Sequence, residues 1–183
     1  MFENYPHLTL TRDGNALVAM TSLGREQRVI IAGHLDTVPV ANNLPAELHH
    51  FEREQVIFGR GSVDMKGGIA VMLKLACELT TPSYDITWIF YDNEEVASEL
   101  NGLGRLSRNH PELLAAEFAI LCEPTSALVE GGCNGTIRVG VRTVGKKAHS
   151  ARPWMGLNAI HLMAEPLNIL NQYQPQTVTV DGL

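Results

Sequence analysis

Four short groups of acidic and imidazole side chains stand just downstream of apolar runs in this chain of 183 residues. His34 and Asp36 follow the run 29–32, and Asp64 follows 56–58 through a glycine-bearing turn. Glu94 and Glu95 follow 86–91, and Glu123 follows 118–122. Imidazole and carboxylate donors without a thiolate suit divalent zinc, cobalt or manganese. Carboxylates that converge in a partly dry cleft repel one another unless cations compensate them. His34 and Asp36 are two positions apart, so on an extended strand both side chains point the same way and Asp36 can steer the imidazole. Adjacent Glu94 and Glu95 cannot both address one atom from an extended backbone. One can bind a metal while the other serves as general base toward a water. Taken singly, each residue has a plainer reading: His34 as a hydrogen-bonded core histidine, Asp64 as a helix cap, Glu94 and Glu95 as a solvated turn, Glu123 as a strand-end carboxylate. Their recurrence at one end of successive strands favours a shared metal site.

The elements that must position these groups read as α/β. The runs 29–32, 56–58, 86–91 and 118–122 are apolar nearly throughout, the pattern of strands buried on both faces of a sheet. In such sheets ligands bind beyond the carboxyl ends of parallel strands, where all four clusters would meet. Alternating segments 8–11 and 16–20 flank a turn at Asp13-Gly14 and predict a hairpin. Ile69, Met72, Leu73 and Ala76 follow helical spacing within 66–79, and a second helix over 102–114 is interrupted by Pro111. The expected fold is therefore a mixed, mainly parallel sheet flanked by helices. A first, α/β domain over 1–126 is followed by the start of a second, α+β domain over 127–183, with the boundary in the stretch 126–135. In that second part, 137–143 alternates apolar and polar residues as an antiparallel strand does. A helix carrying Ile160, Met163, Ala164 and Leu167 with a kink at Pro166 comes next, then a strand-like 177–180.

Composition narrows the function classes. Twenty acidic against 14 basic residues give a formal net charge of −6, which argues against nucleic acid as a partner. No apolar run suits a membrane span, and the first residues lack the basic-then-apolar pattern of a secretory signal. Cys77, Cys122 and Cys133 are widely spaced and suit reduced thiols, so a cytoplasmic location is expected. The stretch GVRTVGK (140–146) imitates a phosphate loop, but Lys147 stands where a magnesium-binding hydroxyl is needed.

The motifs GHLDTVP (33–39), GRGSVDMKGG (59–68), Glu94-Glu95 and Glu123-Pro124 occur in an order that resembles the co-catalytic metallopeptidase family. That family includes aminoacylases, acetylornithine deacetylase, glutamate carboxypeptidase and succinyl-diaminopimelate desuccinylase. AHSARP (148–153) and GLNAI (156–160) continue the match, while YDNEEV (91–96), NGLGR (101–105) and VEGGCNG (129–135) resemble the desuccinylase branch. The resemblance implies a metal-dependent amide hydrolase acting on a small N-acyl amino acid, with two zinc or cobalt ions and a homodimeric assembly. It implies that His34 and Glu123 hold one metal, Glu95 the other, and Asp64 both. Asp36 would then hold His34 and Glu94 would be the general base in a catalytic domain over 1–126, while His149, supplied across a dimer from the dimerisation or lid domain over 127–183, would stabilise the developing oxyanion. Chains of the family are about twice as long. The N-terminal helix and first strand, the return segment to the catalytic domain and the histidine completing the second metal site have no counterpart. His7, His49, His50, His110 and His161 stand in other contexts. The second site is therefore expected to bind weakly, and the chain alone to be poorly active.

Overall fold

The computed structural model describes residues 5–132 and 137–179. The chain divides into two compact units, Met1–Leu128 and Val129–Leu183. In the first unit the strands are β1 (Thr9–Asp13), β2 (Ala16–Met20), β3 (Arg28–His34), β4 (Glu47–Phe51) and β5 (Glu54–Phe58). Helix α1 (Gly67–Glu78), strand β6 (Asp85–Tyr91), helix α2 (Gly102–Asn109) and strand β7 (Phe118–Leu121) complete it.

Five strands form one mixed sheet in the order β1-β2-β6-β3-β7. The β1–β2 hairpin is antiparallel and β2 joins β6 antiparallel, whereas β6, β3 and β7 run parallel. Every residue of β6 is buried, because this strand is covered on both faces. Ile86, Trp88 and Phe90 join Met65, Ile69, Met72 and Ala76 in the core on the α1 side. Ile89 and Tyr91 join Leu106 and Leu113 in the core on the α2 side. The two-residue alternation of a strand thus feeds two cores, and each large side chain withdrawn from water contributes about 1.5–3 kcal/mol. The side chain of Asn101 caps α2 by accepting the N–H groups of Leu103 and Gly104 at 2.9 and 3.0 Å. As expected from Pro111, α2 stops early and a separate 3-10 turn covers Pro111–Leu114.

Two strands differ from expectation. The run 56–58 lies in β5, which pairs antiparallel with β4 in a separate two-stranded sheet whose residues are all exposed. Three apolar residues are too short a signal to separate a core strand from a ribbon. The turn at Glu52-Arg53 lacks the glycine that announces a hairpin, and β4, with its adjacent His49 and His50, gives no clear alternation. The run 118–122 forms β7 as expected in the parallel sheet, but it pairs with β3 alone and its residues are exposed. An edge strand needs only one neighbour, so apolarity did not guarantee burial there.

The second unit holds α3 (Ala159–Leu162) and α4 (Ala164–Gln172). Its helical stretch breaks at Met163 rather than kinking at Pro166. Proline has no N–H for the Leu162 carbonyl and its ring crowds that group, so Pro166 sits in the first turn of a new helix. The expected strand at 137–143 is not in a ladder, because no described strand lies alongside to accept its hydrogen bonds. Residues 177–179 are likewise outside any strand, and Val180 lies outside the described residues, as does Cys133. One isolated antiparallel bridge joins Lys146 and Leu157. Among the described residues no helix is long and apolar enough to cross a membrane.

Buried Asp85 ties the start of β6 to the end of β2. Its carboxylate accepts the Thr21 hydroxyl at 2.9 Å and the N–H groups of Leu23 and Arg25 at 2.8 and 2.9 Å. Burial opposes its charge, but these donors and the Arg28 charge outweigh burial and hold the carboxyl below its ordinary 3.8. A depressed folded pKa stabilises the fold above the ordinary carboxylate range, and this contribution is lost as pH falls through the folded value. Asp85→Asn, which leaves one acceptor oxygen, is expected to cost about 1–3 kcal/mol at neutral pH. Urea titrations at neutral and acidic pH check this: the gap between variant and parent should shrink at the acidic end.

Candidate metal centre

Parallel pairing sets the site. His34 lies opposite Tyr91 in the β3–β6 register, and Ala32 lies opposite Leu121 in the β3–β7 register. The residues following β6 and β7 therefore emerge level with the end of β3, which brings Glu94, Glu95 and Glu123 to one edge. Asp64 arrives by another route. It lies in an irregular helical turn, Ser62–Lys66, with φ −109° and ψ 101°. Its neighbour Met65 is fully buried against β3, where the Met65 sulfur accepts the His34 N–H at 3.2 Å. Gly33 makes this possible, since a Cβ there would meet the Met65 methyl at 2.5 Å. Gly68 serves the other side, because a Cβ there would meet the Cys122 carbonyl at 2.4 Å and push α1 away from the residue before Glu123.

His34 is only 1 % exposed and faces oxygens on both ring nitrogens. Nε2 lies 2.9 Å from Asp64 Oδ1 and 3.8 Å from Glu123 Oε2. Nδ1 lies 3.1 Å from the Asp36 main-chain carbonyl and 3.5 Å from Asp36 Oδ1. Burial lowers the imidazole pKa, but the Asp64 hydrogen bond and the charges of Glu123, Asp64 and Glu94 outweigh it and raise it above 6.5. Burial raises the Glu123 carboxyl; the His34 charge opposes this, while Asp64, Glu94 and Glu95 add to it. Tyr91, whose ring meets the His34 ring edge-on at 6.4 Å, is pushed up to about 12 by burial and by the charges of Glu123, Glu94 and Asp36. Asp36 behaves oppositely. Burial raises it, yet N–H groups of Glu94 and Glu95, at 3.0 and 3.1 Å from its two oxygens, hold it below the ordinary carboxylate value.

The donor set fits a divalent cation. Ligand atoms of His34, Asp64 and Glu95 lie within 4.8 Å of one another, and Glu123 approaches from the same edge. With Nδ1 donating to the Asp36 carbonyl, the Nε2 lone pair is free for a metal among carboxylates that need positive charge. Asp64 and Glu95 also line a cleft of about 430 Å³ with Thr37, Val38 and Arg60. A larger hollow of about 620 Å³ lies at the β4–β5 turn, away from these side chains. His149 belongs to the second unit, where its exposed Nδ1 accepts the Ala151 N–H at 3.1 Å. Met65 and Tyr91 contribute to the site without any chemical pattern in the sequence to mark them. So does the Arg105–Asp92 ion pair of 2.6 Å that fixes the start of the segment carrying Glu94. Contacts between residues so far apart in the chain need the fold to become visible.

A family profile described as peptidase family M20/M25/M40 matches residues 30–180. The chain is 43% identical over 183 residues to a succinyl-diaminopimelate desuccinylase of Corynebacterium glutamicum, covering 98% of this chain and 48% of that protein. It is 50% identical over 173 residues to a protein of Mycobacterium tuberculosis named provisionally for the same activity, covering 94% and 48%. The chain spans about half the length of the curated relatives it matches. The aminopeptidase PepT of Bacillus cereus shares the fold, with a TM-score of 0.52 and 18% identity over 88% of this chain and 46% of that one.

Zinc calorimetry on the chain is expected to find one tight site that His34→Ala removes. Because the His34 pKa is raised, protons should compete as pH falls through it, weakening binding about tenfold per pH unit with matching proton release. Equal zinc affinity in parent and variant would contradict the assignment.

Proposed function

The chain belongs to peptidase family M20/M25/M40, and from that membership we propose that the whole protein hydrolyses N-succinyl-LL-2,6-diaminopimelate to succinate and LL-2,6-diaminopimelate. The observation that carries this reading is 43–50% identity to relatives named for that activity, over 94–98% of the chain. We place the reaction in the biosynthesis of diaminopimelate and lysine, in a cytoplasmic homodimer assembled through the second unit.

In this reading His34, Asp64, Glu95 and Glu123 would hold two divalent ions, zinc or cobalt, the second together with a further ligand from the whole protein. Such ions would supply Lewis acidity, lowering the pKa of a water and polarising the amide carbonyl. Glu94, the more exposed member of its pair, takes the proton from the attacking water. It returns that proton to the amine nitrogen as the carbon–nitrogen bond breaks, so no net proton is lost from the side chain. His149, supplied across the homodimer by the other subunit, donates to the carbonyl oxygen as negative charge develops there. Asp36 fixes the geometry around His34 and the glutamate pair.

The chain spans half of its relatives, which supports a second reading for the chain taken alone: a metal-binding unit without turnover. Joining it to the parts of the Corynebacterium relative that lie outside the matched 48% separates the two. The joined protein should hydrolyse the succinyl substrate in preference to N-acetylornithine, while the chain alone should not. Glu94→Gln should lower kcat about 10²–10⁴-fold with the metal still bound. Preference for acetylornithine, or indifference to Glu94→Gln, would overturn the assignment.

A further inference from the structure

The Asp36 side chain and the Asp36 main chain serve different neighbours. Its two carboxylate oxygens are each taken by a different main-chain donor, Glu94 N–H at 3.0 Å and Glu95 N–H at 3.1 Å. The imidazole is met at shorter range by the main-chain carbonyl, at 3.1 Å, than by the carboxylate, at 3.5 Å. These two donors are the only hydrogen bonds that Glu94 and Glu95 make among the described residues. The segment is anchored at its ends, where the Gly102 N–H donates to the Asp92 carbonyl at 2.7 Å and Arg105 grips the Asp92 carboxylate. Between those anchors Asn93 adopts a left-handed φ of 61°, and the Glu94 side chain is exposed. Burial does not hold Glu94 in place.

Consecutive N–H groups that converge on one anion form a concave backbone nest. Both amides of the glutamate pair are fixed by one acceptor, so the backbone from which Glu94 and Glu95 diverge is set by a single side chain. Charge-assisted bonds of this kind are roughly twice as strong as neutral ones. They also explain why the Asp36 carboxyl is held ionised although partly buried. At 3.5 Å the Asp36 carboxylate stands at the outer limit of a hydrogen bond to the ring nitrogen, so the main-chain carbonyl at 3.1 Å is the ring's stronger partner.

We propose that Asp36 is the positioning residue of the general base: its carboxylate sets the Glu94–Glu95 backbone, while its main-chain carbonyl orients the His34 ring. This inference rests on the assignment of Glu94 as base in the preceding section. It departs from the expectation that the Asp36 carboxylate acts on the histidine.

The experiment is nuclear magnetic resonance on the metal-free chain, which reads the contacts without any activity. In the parent, trans-hydrogen-bond couplings should connect the Glu94 and Glu95 nitrogens to the Asp36 carboxylate carbon. In Asp36→Asn the pair of amides should exchange with solvent at least about tenfold faster. Amides of the buried strand carrying Trp88 should keep their protection, which separates local release from general destabilisation. Absence of both couplings in the parent overturns the proposal even if the variant fails to fold. So does unchanged exchange at Glu94 and Glu95 in a folded variant. If the couplings are present but Glu94→Gln leaves the joined enzyme fully active, the clamp stands and the assignment of the base falls instead.

Discussion

A buried imidazole with an oxygen facing each ring nitrogen is the constraint around which this chain is arranged. A neutral histidine has one donor, so His34 between the Asp36 carbonyl and the Asp64 carboxylate leaves one contact unsatisfied unless it gains a proton or a cation. The neighbouring carboxylates favour the first route, holding the imidazole pKa above its ordinary 6.5. A metal resolves it by the second, and it also relieves the repulsion that raises Glu123. The same shortage of positive charge therefore accounts for the pKa pattern, the clustering of ligand atoms and the identity of the group that would fill the gap.

The rest of the first unit holds that imbalance in place. A doubly covered β6 and its parallel neighbours bring three of the loops to one edge, and the packing of Met65 against Gly33 delivers Asp64. Separate anchors act on each contributor: the Asp36 carbonyl on the ring, the Asp36 carboxylate on the glutamate pair, and Arg105 on the residue at the start of that segment. The amine of Lys66, two residues after Asp64, donates instead to the Leu35 carbonyl at 2.7 Å. The acidic centre is left open to an external cation.

Much of this was legible from residue order, and the reasons for the failures are specific. His34, Glu94, Glu95 and Glu123 could be placed because each follows an apolar run, and strand direction then carries them to a common edge. The helix α1 was legible from Ile69, Met72 and Ala76, which the structure buries. The route of Asp64 was not, because 56–58 resembles a core strand by composition while its environment is set by pairing with β4. In the second unit, alternation at 137–143 describes a strand that needs neighbours, and no described strand lies beside it. Pro166 predicts a kink, whereas its missing N–H acts one turn earlier and ends α3. Local pattern reported what each segment can do; tertiary pairing decided which of those options was used.

The imidazole of His34 is the place to test the account. Nitrogen-15 resonance of the ring, followed as zinc is added near neutral pH, reports which nitrogen carries a proton and which meets the metal. The account predicts that Nδ1 keeps its proton, bonded to the Asp36 carbonyl, while Nε2 loses its proton and takes the shift of a metal ligand. Ring resonances of His34 unmoved at saturating zinc, or a metal on Nδ1 instead, would contradict it.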